Sequence, residues 1–292
     1  MSLIFIATEK GLILWYKRIL PSLLPFAILS NIIISSNILD KIFIKLSKNR
    51  YFSYLLYSFI CILGNFLGLP IGCKLVCDLY KQKLLSKQYA QMLLPILGSF
   101  SYSFICNYCI GCISNDTNNT MCSYLCIYIP IILFFIFMVF RLSKNNQISN
   151  TQKETASRFH LDMQIIDAGI LNGFETLIKL CGYIVLFSII SEYTLRISSI
   201  SVLYKTLFLC MIEVTNGMQN LSMLKINSSI KSMIGLSSIS FGGFCCYFQL
   251  KSMINETDLS ARKYLFHKLL LTGITLIMAF ILFILPNLLN RL

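Results

Sequence analysis

The sequence predicts an all-α, polytopic integral membrane protein of two repeated halves, with interrupted transmembrane helices and re-entrant hairpins. Three observations predict it. The composition is 56% hydrophobic and only 13% charged, with a mean hydropathy of +0.73, far more apolar than a water-soluble domain requires. Apolar runs of span length recur along the chain. Two of those runs are broken by glycine, proline or polar clusters at corresponding places, which is the sequence mark of a transporter-like repeat.

Taken in order, residues 11–20 hold Trp15, Tyr16, Lys17 and Arg18, a mixture suited to the membrane interface. The first span, 19–39, carries Pro21, Ser22 and Pro25 and ends in Ser35-Ser36-Asn37; a basic connection with Lys41, Lys45, Lys48 and Arg50 follows. The second span, 51–76, contains Gly64-Asn65-Phe66-Leu67-Gly68-Leu69-Pro70-Ile71-Gly72. Glycine weakens a helix and an interior proline removes a backbone hydrogen bond. In hydrocarbon the freed backbone groups need partners, so such a stretch is expected inside protein or along a polar cavity. After a polar connection at 78–88, segment 91–113 has Pro95, Gly98, Ser99, Ser101, Ser103 and Asn107 and predicts a hairpin of two half-helices entering and leaving one face. Residues 121–140 form the least interrupted span.

The hydrophilic stretch 141–164 is expected to link a first membrane repeat, 1–140, to a second, 165–292. The pattern then begins again. Residues 169–189 can be laid on 11–31, and 209–220 on 64–75, with Glu213-Val214-Thr215-Asn216-Gly217-Met218-Gln219-Asn220 as the second interruption. The serine-rich break 99–103 is matched by Ser237-Ser238-Ile239-Ser240-Phe241-Gly242-Gly243, and 265–288 closes the chain as a last span.

The net charge of +13 comes from Lys and Arg that fall mostly in short connections. That placement fits anchoring to lipid headgroups and argues against a nucleic-acid partner. The connections 41–50, 141–158 and 251–268 are expected on one face, the more basic and hence cytoplasmic one. Of the twelve cysteines, Cys106, Cys109 and Cys112 have the spacing that starts a ferredoxin-type cluster, but the fourth Cys followed by Pro is absent. Reduced packing cysteines, with no metal and no cofactor, are the expectation. His160 and His267 belong to no zinc-hydrolase pattern and no glycine-rich nucleotide loop precedes a helix, so an enzyme is not expected.

Glu213 is the acid placed deep in an apolar run, followed by Thr215, Asn216, Gln219 and Asn220. A buried carboxylate is costly unless paired or facing water. It would bind a cation, take up a proton or accept hydrogen bonds from a solute; the alternative is a structural ion pair, for instance with Lys74. Asn65, Gly68, Pro70, Gly72 and Lys74 form the counterpart in the first half, as cavity lining or as close helix packing through small residues. Ser99 and Ser101, with Ser240, Gly242 and Gly243, would make the two hairpin tips. The expected partners are the lipid bilayer and a small polar solute with a coupling ion.

At Pro21-Ser22-Leu23-Leu24-Pro25-Phe26, Gly68-Leu69-Pro70-Ile71-Gly72-Cys73-Lys74 and Ser240-Phe241-Gly242-Gly243 with Gln249, the sequence resembles bacterial sporulation membrane proteins of the nucleoside-recognition or Gate-domain superfamily. The resemblance covers nearly the whole chain. It implies a multi-pass protein of a bacterial cytoplasmic membrane, of the spore or the mother cell, related to concentrative nucleoside transporters and to the gate of ferrous-iron transporters. A permease for a nucleoside-like solute is the activity so implied. One departure stands out: the family's first hairpin carries Asn-Pro after a serine, where this chain has Ser99-Phe100-Ser101-Tyr102-Ser103. A non-transporting scaffold for the spore envelope is therefore the second expectation.

Overall fold

The computed structural model describes residues 2–47, 50–113, 117–144 and 159–286, and among these it is all-helical, without strands. Helix α1 (Leu3–Leu14) passes through a π-helical turn at 15–19 into α2 (Leu20–Ser35), and the two bodies are bent by 57°. Pro21 and Pro25 withhold backbone donors near that bend. Then come α3 (Ile38–Ser47), α4 (Arg50–Leu67), α5 (Ile71–Lys81), α6 (Lys87–Leu97), the short α7 (Tyr102–Phe104), a π-helical turn at 105–109, and α8 (Ile110–Ile113). The remainder is α9 (Thr117–Lys144), α10 (Met163–Arg196), α11 (Val202–Ile212), α12 (Val214–Met223), α13 (Ser228–Phe241), α14 (Gly243–Ile254) and α15 (Ala261–Ala279), which ends in a π-helical turn at 280–284.

Among the described residues, four segments are long and apolar enough to cross a membrane: Thr120–Leu142, Met163–Arg196, Ser228–Ile254 and Ala261–Ile284, with a fifth if the bent pair α1–α2 counts as one span. The chain is a multi-pass membrane protein by this measure. Two of the expected spans are not single helices. The 51–76 run stops at Leu67 and restarts at Ile71, and the run through its counterpart 209–220 stops at Ile212, leaving apolar helices too short to cross alone. The basic connection expected from Lys41 is largely the helix α3, because Ile42 and Phe43 continue its apolar pattern. Interfacial and spanning parts of 169–189 are one uninterrupted 34-residue helix, α10, which has no counterpart of Pro21 and Pro25. Of the expected linker, 145–158 lies outside the described residues.

The fold-backs lie elsewhere than the sequence led us to expect. Helices α6 and α7–α8, the two arms of the hairpin expected at 91–113, make no extensive contact with each other, nor do α13 and α14. The chain instead folds back at the two interruptions, where α4 packs on α5 and α11 packs on α12. A Cβ added to Gly217 of α12 would stand 2.5 Å from the Cα of Cys210 in α11, and one on Gly72 would stand 3.0 Å from the carbonyl oxygen of Gly64. Small residues are what let each pair of short helices approach backbone to backbone. Around these pairs, α2 lies along α10, and Trp15 Nε1 donates to the Leu177 carbonyl at 2.9 Å.

At one end of the bundle, Lys81 pairs with Glu256 and Lys87 with Asp258, tying α5 and α6 to the connection before α15. Gln91 reinforces the tie, accepting from Ser260 N at 2.7 Å and donating to Ser260 O at 3.0 Å. The hydrogen bond from Lys81 holds the Glu256 carboxyl below its usual range; that from Lys87, with a second from Tyr80, does the same for Asp258. Two outcomes are expected. Gly217→Val forces α11 and α12 apart, costing on the order of 1–3 kcal/mol by overpacking, and lowers the melting temperature in detergent; Gly182→Ala, with open space around it, leaves melting unchanged. Because both carboxylates have lowered folded pKa values, their stabilisation is present above the ordinary carboxylate range near pH 4 and is lost as pH falls through the lower folded values. Melting scans taken down to about pH 3 should show an acid-induced loss that is smaller in Lys81→Met and Lys87→Met.

Candidate functional site

Each fold-back presents its apex to a break in the helix pair that follows it. At the first apex Gly68 takes a left-handed φ of +67°, and a Cβ there would stand 2.5 Å from Ser101 N. Leu69 N donates to the Ser99 carbonyl at 2.9 Å, so the backbone freed at 68–70 is paired with the backbone freed between α6 and α7. Ser101 caps α7, its hydroxyl accepting from Phe104 N at 3.3 Å. Ser99 Oγ accepts from Lys268 Nζ at 3.1 Å, and Tyr264 of the same helix α15 points its hydroxyl at the Gly98 carbonyl.

The second apex is Glu213, extended at φ −143°. Its carboxylate caps α12: Thr215 N donates to Oε1 at 2.8 Å and Asn216 N to Oε2 at 2.7 Å. Charge-assisted bonds to two free amides at a helix N-terminus offset much of the cost of burying the acid. The apex rests on Gly243, where a Cβ would stand 3.0 Å from the Ile212 carbonyl oxygen; both Gly242 and Gly243 have positive φ, 86° and 77°. Ser240, just before that break, accepts from Thr275 Oγ1 at 3.0 Å. One bond joins the two sets, from Tyr108 hydroxyl to Thr215 O at 3.0 Å.

Three cavities follow one face of α10. The central one, about 60 Å³, is lined by Glu213, Thr215 and Ser101 together with Ser22, Cys246 and Gln249, and it meets α10 at Leu180 and Ile184. Toward the Lys81–Glu256 end lies a cavity of about 480 Å³ that holds Pro70 and Lys74 with Asn31, Asn172 and Thr176, and shares Gln249 and Leu180 with the central one. Beyond the centre lies one of about 460 Å³, with Asn216, Gln219 and Asn220 facing Ser188, Ser191, Glu192 and Lys10. From Thr176 to Ser191 the helix rises roughly 22 Å at 1.5 Å per residue, most of a hydrocarbon core of about 30 Å.

Of the residues singled out from sequence, Glu213, Thr215 and Ser101 share one cavity, Pro70 and Lys74 another, and Asn216, Gln219 and Asn220 the third. The suggested Lys74–Glu213 ion pair does not form: Lys74 Nζ donates to Thr176 Oγ1 at 2.8 Å, while the Glu213 oxygens face the start of their own helix. Gly72 lies against the Leu97 carbonyl oxygen, 2.8 Å from a built Cβ, a place for packing. Ser99, Ser240, Gly242 and Gly243 stand at helix breaks, the places expected to be hairpin tips. Asn65 is not brought to any of the three; it borders a separate apolar cavity. Gln249 and Ser22 line the central cavity, although from sequence they were only parts of quoted motifs. Lys268, expected in a connection, is buried at 1% exposure within α15; a lysine inside an otherwise apolar run was the available signal. Among the described residues, no three His, Cys, Asp or Glu side chains are grouped to hold a metal ion.

Helices long and apolar enough to cross a membrane, with two interruptions where short helices pack back on each other, define the class: a multi-pass membrane protein. Compared with curated proteins, the chain is similar to the sporulation integral membrane protein YlbJ of Bacillus subtilis (strain 168), at 22% identity over 311 aligned residues that cover 91% of this chain and 74% of the relative. No family model matches the chain, and no solved structure does.

Proposed function

We propose that this chain is a permease of the secondary-transporter kind for a small polar, nucleoside-like solute, working in the cytoplasmic membrane of a spore-forming bacterium during sporulation. The observation that carries the reading is the row of three cavities along α10, two of ligand size flanking a narrow one at Glu213. A solute entering either outer cavity would meet the central constriction, and movement of the two fold-backs against α10 would open it to one side at a time. The paired short helices α4–α5 and α11–α12 support the reading that both are re-entrant and that the chain is a two-fold repeat. Each apex rests on the break of the next helix pair, Leu69 on Ser99 and Ile212 on Gly243. In this scheme no covalent chemistry is done and no nucleic acid takes part; Glu213, Thr215, Ser101 and Gln249 hold the solute or its coupling ion. The sporulation context is taken from the distant relative's name.

One observation favours the second reading, a membrane scaffold without transport. The central cavity of about 60 Å³ is far below the roughly 300 Å³ at which ligand pockets begin, and the Glu213 carboxylate already caps its own helix. The two readings separate in proteoliposomes loaded and assayed for nucleoside uptake. Glu213→Gln keeps a capping carbonyl and should leave the protein folded while reducing uptake at least about tenfold, a loss of about 1.4 kcal/mol in the limiting step. Uptake absent from the wild type, with both proteins restoring spore formation to a deletion strain, would establish the scaffold; uptake equal in Glu213→Gln would remove Glu213 from the transport path.

A further inference from the structure

At the end of the bundle where α9 stops and α15 starts, a cavity of about 740 Å³ lies between those two helices and the start of α6. It shares no residue with the three cavities along α10. Four of its lining side chains are cations, Lys87 of α6, Arg141 of α9, and Arg262 and Lys263 of α15, and no carboxylate lines it. Arg141 and Lys263 both lie within electrostatic reach of His267, which is also part of the lining, so the charges of two helices converge on one place. Lys87 is paired with Asp258, but among the described residues no ion pair engages Arg141, Arg262 or Lys263. Cations gathered around one hollow without a counter-charge repel one another. The fold adds to that cost, because α15 has no acid in its first turn and Arg262 and Lys263 stand there against the positive end of the helix. An anion from outside the chain offsets both terms.

Depth and the apolar wall select the anion. Arg141 is the last residue but one of the span Thr120–Leu142, and Arg262 and Lys263 are the second and third of the span Ala261–Ile284, so the cations stand at the level of the lipid headgroups. Further into each span the surface turns apolar. Phe266 lines the cavity and is 66% exposed, while Phe137, one turn inside Arg141, is 49% exposed with the guanidinium 6.0 Å from its ring centroid. A basic hollow between spanning helices, continued by exposed phenylalanines, fits a headgroup with its tails attached. Guanidinium forks match phosphate oxygens, and with no carboxylate in the lining nothing receives the ammonium of a zwitterionic headgroup. We propose that this cavity is a binding site for an anionic phospholipid, its phosphate among Arg141, Arg262 and Lys263 and its acyl chains running past Phe266 and Phe137.

The test is lipid retention by the purified full-length protein, read by native mass spectrometry after release from nanodiscs of phosphatidylglycerol and phosphatidylcholine in equal amounts with matched acyl chains. The wild type should retain phosphatidylglycerol over phosphatidylcholine by roughly 25-fold, the worth of two cations at about fivefold each. Arg262→Gln with Lys263→Gln should reduce that preference to about fivefold or less. Lys83→Gln with Lys251→Gln removes as much charge at exposed positions outside the cavity and should keep the wild-type preference. Glycerophosphoglycerol, the same headgroup without tails, and inorganic phosphate should fail to displace the lipid even in large excess. The proposal is overturned by a wild type without preference, by an equal fall in the two double variants, which would mean diffuse surface charge, or by displacement with either soluble phosphate, which would make the ligand a free anion. Should the Arg262 and Lys263 double variant fail to fold, Arg141→Gln, exposed at the end of α9, decides by the same comparison.

Discussion

The constraint on which this architecture depends is the pairing of interrupted backbone inside an apolar interior. A chain that stops a helix at Leu67 and at Ile212 leaves amides and carbonyls that hydrocarbon cannot satisfy. The structure answers by setting one interruption against another. Leu69 N reaches Ser99 O, two breaks closing each other, and Glu213 answers the second case with a side chain, its carboxylate receiving the first amides of α12. What would be a liability in one helix becomes a junction when two breaks meet, and junctions of this kind are where polar cavities can exist at membrane depth.

Close packing and polar lining, weighed as rival explanations for the glycine-rich cluster, turn out to be divided among its residues. Gly64 and Gly72 let α4, α5 and Leu97 of α6 crowd together, while Pro70 and Lys74, on the next part of the same stretch, face a cavity. The same division holds in the second half, where Gly217 packs on Cys210 and its neighbours Asn216 and Gln219 face open space. Packing sets the walls, and residues one or two positions away border what the walls enclose. Lys268 shows a third use of a polar group: fully buried, it ties α15 to the α6–α7 break through Ser99, so the last helix is anchored where the backbone is most irregular.

The proposed transport draws on the least regular parts of this fold. The fold-backs are built of short helices packed among their neighbours, whereas α10 is one long helix against which α1 and α2 lie. In the proposed scheme α10 would be the fixed element beside the two short pairs, and the narrow centre at Glu213 is where their movement would be felt.

The sequence by itself determined the helical, membrane-spanning class, the two places where helices break, and the presence of an acid at one of them, because hydropathy, glycine, proline and a buried charge are local properties written residue by residue. Ser101, Thr215 and Pro70, marked as candidates from sequence, border cavities in the structure. Only the tertiary structure decided which segments fold back: composition marks 91–113 as broken just as it marks 64–72, and nothing local says whether the halves diverge or close. It likewise decided that Asn65 borders an apolar cavity apart from the other candidates, that Lys74 meets Thr176 and that Lys268 is interior. Those outcomes depend on which helix lies alongside, and that is set by packing between residues far apart in the chain.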